Sequence, residues 1–117
     1  MLAVERLLEI RENFGSHVQR IVPLDIDGET LRVILYFIDG TNLRVTEQWQ
    51  GELLKRYSYY WLTSENKLKI GWDNAPHHTE VETFPHYKHV AQQENLLPSD
   101  ETYLADVMAV ILADLEG

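Results

Sequence analysis

No cysteine occurs among the 117 residues. That excludes a disulfide framework, a thiolate zinc site and a cysteine nucleophile, and it fits a reducing compartment. Long apolar runs are missing as well, so no stretch reads as a bilayer-spanning helix. Glu5, Arg6 and Glu9 interrupt the first apolar residues too early for the core of a signal peptide. The expectation is a cytoplasmic chain with no membrane partner. Cations are scarce: 10 Lys and Arg stand against 19 Asp and Glu, a formal net charge of -9. Such a balance argues against non-specific nucleic-acid binding, which needs a basic surface.

What is present reads as one domain, residues 1–117, with 44% apolar and 25% charged residues, ordinary for a globular chain. Charge is unevenly spread. Between residues 30 and 70 the cations Arg32, Arg44, Lys55, Arg56, Lys67 and Lys69 outnumber the anions Asp39, Glu47, Glu52 and Glu65. A local basic patch on a sheet face is one reading, and a solvated face of mixed charge is the other.

Residues 2–14 place Val4, Leu7, Leu8, Arg11 and Phe14 at helical spacing, with Gly15-Ser16 as the stop. From Ile21 the period becomes two. Ile21, Val22, Leu24 and Ile26 make an edge strand, because Pro23 cannot donate to a ladder. Residues 31–38 are apolar on both faces, as in a central strand. Asp39-Gly40-Thr41 predicts a primed hairpin turn into a strand over 42–49. Residues 54–62 put Tyr57, Tyr59 and Trp61 on one face, with Arg56, Ser58 and Tyr60 on the other. Leu68, Ile70 and Trp72 form the inward face of the last strand. Ser99 is the expected N-cap of a C-terminal helix whose Leu104, Val107, Met108, Ile111, Leu112 and Leu115 follow one stripe. The fold class expected is therefore α+β: an antiparallel five-stranded β-meander with an N-terminal helix and a C-terminal amphipathic helix packed on one face.

Four of the five histidines fall between Trp72 and Val90, a stretch broken by Pro76 and Pro85. His17 is isolated and reads as surface. Asp73-Asn74-Ala75-Pro76 holds His77 and His78 at a strand end, and on an extended chain those two point in opposite directions. His86 and His89 share a face in a helical turn and separate in an extended piece. Three readings stand side by side. The histidines with Asp73 supply nitrogen and oxygen ligands for a divalent metal, although the spacing matches no zinc signature. Alternatively His77, His78, His86 and His89 exchange protons in metal-free cleavage of a phosphodiester by a ribose hydroxyl, with Lys88 or Arg56 steadying the charge. Tyr59 and Tyr60 then stack on bases, and Asp73 and Asn74 line the substrate. In the third reading the stretch is a structural clasp of a non-enzymatic binding protein.

Asp73-Asn74-Ala75-Pro76-His77-His78, then Glu82-Thr83-Phe84-Pro85-His86-Tyr87-Lys88-His89-Val90, then Leu97-Pro98-Ser99, resembles the TumE family, the toxin half of bacterial toxin–antitoxin pairs. Tyr57-Ser58-Tyr59-Tyr60-Trp61 is similar to the tyrosine-rich strand that precedes these runs in the family. The likeness covers about residues 54–115. It implies a cytoplasmic toxin neutralised by a cognate antitoxin, often one with a DNA-binding module. It carries no catalytic assignment. Many toxins of this size are ribonucleases, so RNA is the candidate target by analogy at the level of fold. No cofactor is expected, and a homodimer is left open.

Overall fold

The computed structural model describes residues 1–76 and 81–117. Helix α1 (Ala3–Phe14) leads through a single 3-10 turn into strands β1 (Arg20–Asp27), β2 (Thr30–Tyr36), β3 (Asn42–Gln50), β4 (Leu53–Leu62) and β5 (Leu68–Asp73). Two short strands follow, β6 (Tyr87–Val90) and β7 (Leu96–Pro98), and helix α2 (Leu104–Glu116) closes the chain. The strands pair antiparallel in chain order, giving a seven-stranded meander among the described residues. The expected five strands are β1 to β5. The correction is that part of the histidine stretch itself adds to the sheet: Asp73 pairs with Tyr87, Trp72 with Lys88 and Gly71 with His89.

Both helices lie on one face. Ala3, Leu7 and Ile10 from α1 and Leu104, Val107, Met108 and Ile111 from α2 share one core with Leu31, Val33, Leu35, Leu43, Val45, Tyr57, Tyr59, Trp61 and Trp72. The stripe of α1 differs from the expected one. Val4 and Leu8 are exposed, and Arg6 turns inward beside Ala3, Leu7 and Ile10. The cause lies beneath the helix: Glu47 is fully buried on β3, and Arg6 reaches it with Nε at 2.7 Å and a terminal nitrogen at 3.1 Å. A buried carboxylate needs a paired cation, and that need rotates the helix.

Three further expectations are revised. The β2–β3 connection is not a primed two-residue turn. Gly40 N–H donates to the Phe37 carbonyl at 3.1 Å, and of the loop residues only Gly40, at φ 90°, is left-handed. Ile38 and Asp39 thus occupy the centre of an ordinary turn, and the glycine follows it. Strand β5 carries a bulge opposite Trp61 and Leu62, which pairs Leu68 with Leu62 and leaves Lys69 over the Trp61 ring, 4.2 Å from its centroid. Helix α2 starts at Leu104 rather than near Ser99. Asp106 accepts from the backbone N–H groups of Thr102 and Tyr103, while Ser99 Oγ donates to the Glu101 carbonyl. Pro23 does mark an edge strand, with a register shift between Pro23 and Asp25.

Candidate functional site at the histidine-bearing edge

Strand alternation decides which candidates meet. β6 is extended, so His86 and His89 separate. His89 lies on the side of Asp73, away from the helices. Its Nε2 is 3.1 Å from Asp73 Oδ2, and its Nδ1 is 2.6 Å from the Gln93 carbonyl. A carbonyl only accepts, and an ionised carboxylate only accepts, so the imidazolium is the form that satisfies both contacts. His89 ties β5, β6 and the turn after β6 together, with neither ring nitrogen left over. Asp73 also accepts from Ala75 N–H through Oδ1 at 3.1 Å.

Lys88 projects to the opposite, helix-covered side, where Glu101 Oε1 binds its Nζ at 3.3 Å and the Trp72 indole N–H at 3.0 Å. It is a neutralised cation. His86 lies on that same side. Its ring stacks on Tyr57 at a centroid distance of 5.9 Å, and Nδ1 is 2.9 Å from the Tyr57 hydroxyl. Desolvation lowers the His86 pKa below its ordinary 6.5. Burial, joined by the charge of Asp73, pushes the Tyr57 hydroxyl well above its ordinary range. A neutral imidazole therefore faces a protonated phenol. When Tyr57 accepts from Nδ1–H, Nε2 presents a lone pair, and Nε2 has no partner among the described residues.

His86 opens into a cleft of about 310 Å³ bordered by Leu53, Leu54, Lys55, Asn74, Thr102 and Tyr103. Lys55 is exposed and supplies the cation there that Lys88 does not. Asn74 is a scaffold residue: its Oδ1 accepts from Tyr57 N–H at 2.8 Å and its Nδ2 donates to the Lys55 carbonyl at 3.2 Å. On the other side of the sheet a second cleft of about 390 Å³ is lined by Thr46, Gln48, Arg56, Ser58, Tyr60, Asp73 and His89. Arg56 and Tyr60 are thus on the uncovered face, Tyr60 half-buried with its ring over Gly71. Tyr59 is inside the core at 0% exposure, where its hydroxyl donates to Glu47 at 2.6 Å and its ring stacks on Tyr57. His77 and His78 lie outside the described residues. Among the described residues, no three His, Asp or Glu side chains converge as a metal site.

Sequence reasoning missed Lys55, Gln93 and Glu101, and the Arg6–Glu47 pair. Only Glu47 carried a signal: it follows Leu43 and Val45 at the inward positions of β3, where a charge requires a buried partner.

Fold and site together define a class: a small α+β protein with one sheet face bare of helices and imidazoles at the edge where the sheet ends. The chain belongs to the TumE toxin family, since the sequence model described as Toxin TumE matches residues 5–117. The match takes in α1 and the first strands as well as the motif-bearing half. No curated protein and no solved structure matches the chain.

Proposed function

We propose that this family member acts as a metal-independent ribonuclease, neutralised in the cell by a cognate antitoxin. The observation that carries the reading is His86, a half-buried neutral imidazole held by Tyr57 through Nδ1 and lining a cleft that also holds Lys55. Such a group removes the proton from a ribose 2′-hydroxyl. The hydroxyl oxygen then attacks the adjacent phosphorus, the phosphorus–O5′ bond breaks, and a second acid protonates the leaving oxygen. Lys55, in the same cleft, offsets the charge gathering on the phosphate, whereas Arg56 opens to the cleft on the other side of the sheet. His77 and His78 are the candidates for the acid. His89, bonded through both nitrogens, is a structural residue in this scheme.

Incubating purified protein with end-labelled RNA in the presence of EDTA tests the reading. Cleavage with 2′,3′-cyclic phosphate ends is expected, with a fall of about 10²- to 10⁴-fold in His86→Ala at unchanged far-ultraviolet circular dichroism. His86→Ala cleaving at the wild-type rate, or RNA left intact by wild-type protein that arrests growth, would refute it. The clasp reading is favoured by His89 instead. It is supported if no RNA is cut and His89→Ala costs stability while His86→Ala does not.

A further inference from the structure

Strand alternation sorts charge between the two faces of the sheet. The uncovered face carries Arg32 on β2, Arg44 on β3 and Arg56 on β4, all exposed. None of the three has a carboxylate within 4.0 Å among the described residues. Of the carboxylates on that face, Asp25 stands directly across from Arg32 on edge strand β1 without reaching it, Asp27 lies further along β1, and Asp73 is already bonded to His89. Most of the acidic excess lies elsewhere, including Glu5, Glu9 and Glu12 on α1 and Asp106, Asp114 and Glu116 on α2, behind the sheet.

Between the arginines stand short polar side chains. Thr46 pairs with both Arg32 and Ser58, and Gln48 pairs with Arg56. Tyr60 pairs with Arg44 and with Gly71, and its ring fills the space that a Cβ on Gly71 would take. From ordinary strand spacing and rise, the Cα atoms of Arg32 and Arg44 are about 8 Å apart, and those of Arg44 and Arg56 about 14 Å. That span suits a few nucleotides of a flexible strand, with guanidinium and hydroxyl donors for phosphate and sugar and an aromatic ring for an unpaired base. A duplex keeps its bases stacked on each other and offers Tyr60 nothing.

We propose that the uncovered sheet face is a binding track for single-stranded RNA, its backbone on Arg32, Arg44 and Arg56 and one base on Tyr60. The choice of RNA rests on the ribonuclease reading above, whereas the track itself rests on the face. Fluorescence anisotropy with a labelled 12-nucleotide single-stranded RNA of mixed sequence tests it, in wild type, His86→Ala, Tyr60→Ala and the triple variant Arg32→Gln, Arg44→Gln, Arg56→Gln. The triple variant should lower the slope of log affinity against log salt by about 2, at about 0.7 per phosphate contact. Tyr60→Ala should weaken binding by about 5- to 150-fold. Arg44→Gln alone should remove about 0.7 of slope, which keeps the test open if the triple variant misfolds. An unchanged slope in the folded arginine variants, equal binding of a duplex of the same sequence, or equal competition by polyglutamate would overturn the proposal. Binding lost with the arginines but no cleavage by any variant upholds the track and removes the ribonuclease. Cleavage that depends on His86 but ignores the arginines does the reverse.

Discussion

Replacing Arg6 with methionine is expected to destabilise the fold by about 3 to 5 kcal/mol. The reason is geometric. Glu47 is fully buried on β3 and accepts from four donors: Arg6 through two nitrogens at 2.7 and 3.1 Å, the Tyr59 hydroxyl at 2.6 Å and the Trp49 indole at 3.0 Å. Desolvation alone lowers the Arg6 pKa, but the hydrogen bonds and charge of Glu47 outweigh it and hold the guanidinium above its ordinary value. Arg6 also lies over the Trp49 ring, 5.5 Å from its centroid, and bonds Glu9. Methionine keeps most of the packing and removes the charge, leaving a buried carboxylate with two neutral donors. Against a typical domain stability of about 5 to 15 kcal/mol, that is a large share. Urea unfolding followed by tryptophan fluorescence reads it as a lower midpoint at constant slope. Converting the whole cluster to apolar groups of similar size, with Arg6→Met, Glu47→Leu and Tyr59→Phe together, should recover much of the loss, because no charge then stays buried. A cost below about 1 kcal/mol for Arg6→Met alone would mean that Glu47 is solvated or neutral, and the account of why α1 turns its arginine inward would fall.

Two more outcomes follow from the same packing. Gly71→Ala sets a Cβ 2.4 Å from Cδ1 and Cε1 of Tyr60, so the ring must leave its place; a loss of about 1 to 3 kcal/mol in urea is expected, and Gly71→Ala with Tyr60→Ala should lose no more than Tyr60→Ala alone. Tyr59 gives an alkaline limb: burial and Glu47 hold its pKa well above 10.0 in the folded chain. The folded state keeps a proton that the unfolded state releases, so this contribution is complete below pH 10 and declines above it by about 1.4 kcal/mol per pH unit. Stability measured between pH 9 and 11.5 checks it, and a Tyr59→Phe variant with an equally steep decline would count against it.

Strands β1 to β5 and both helices were legible because each runs for six or more residues, long enough for a period to declare itself. β6 and β7 were not. They have four and three residues, they carry mixed side chains between prolines, and their extended form is set by pairing with β5 rather than by pattern. Hydropathy misplaced the α1 stripe for a similar reason: it ranks Val4 and Leu8 above Arg6, and only the tertiary partner Glu47 reverses the order. At the site, the alternation rule stated the right condition, that His86 and His89 part company if the chain is extended. It had no means of choosing the condition. The pairing of Lys88 was not legible because its partner, Glu101, comes from the approach to α2 thirteen residues on. The burial of Tyr59 was not legible because a strand read alone does not say which of its faces the helices will cover.

The net charge of -9 stops being an argument against RNA once the faces are separated. A net charge adds two surfaces that a ligand never meets together. On β3, Leu43, Val45 and Glu47 point under the helices, while Arg44, Thr46 and Gln48 point out. On β4, Tyr57, Tyr59 and Trp61 point under and Arg56, Ser58 and Tyr60 point out. The outer surfaces of α1 and α2 are separated from the arginine face by the core and the sheet, and even the shortest principal extent of the molecule is 21 Å through the Cα atoms. At physiological ionic strength charges are screened over about 8 Å, so the acidic helices contribute little potential at the arginine face. At 0.01 M salt the screening length grows to about 30 Å, and their repulsion reaches across the sheet. On the proposed track affinity therefore still falls as salt rises, through the ions released at each phosphate contact, and the repulsion of the acidic helices flattens that dependence in dilute buffer.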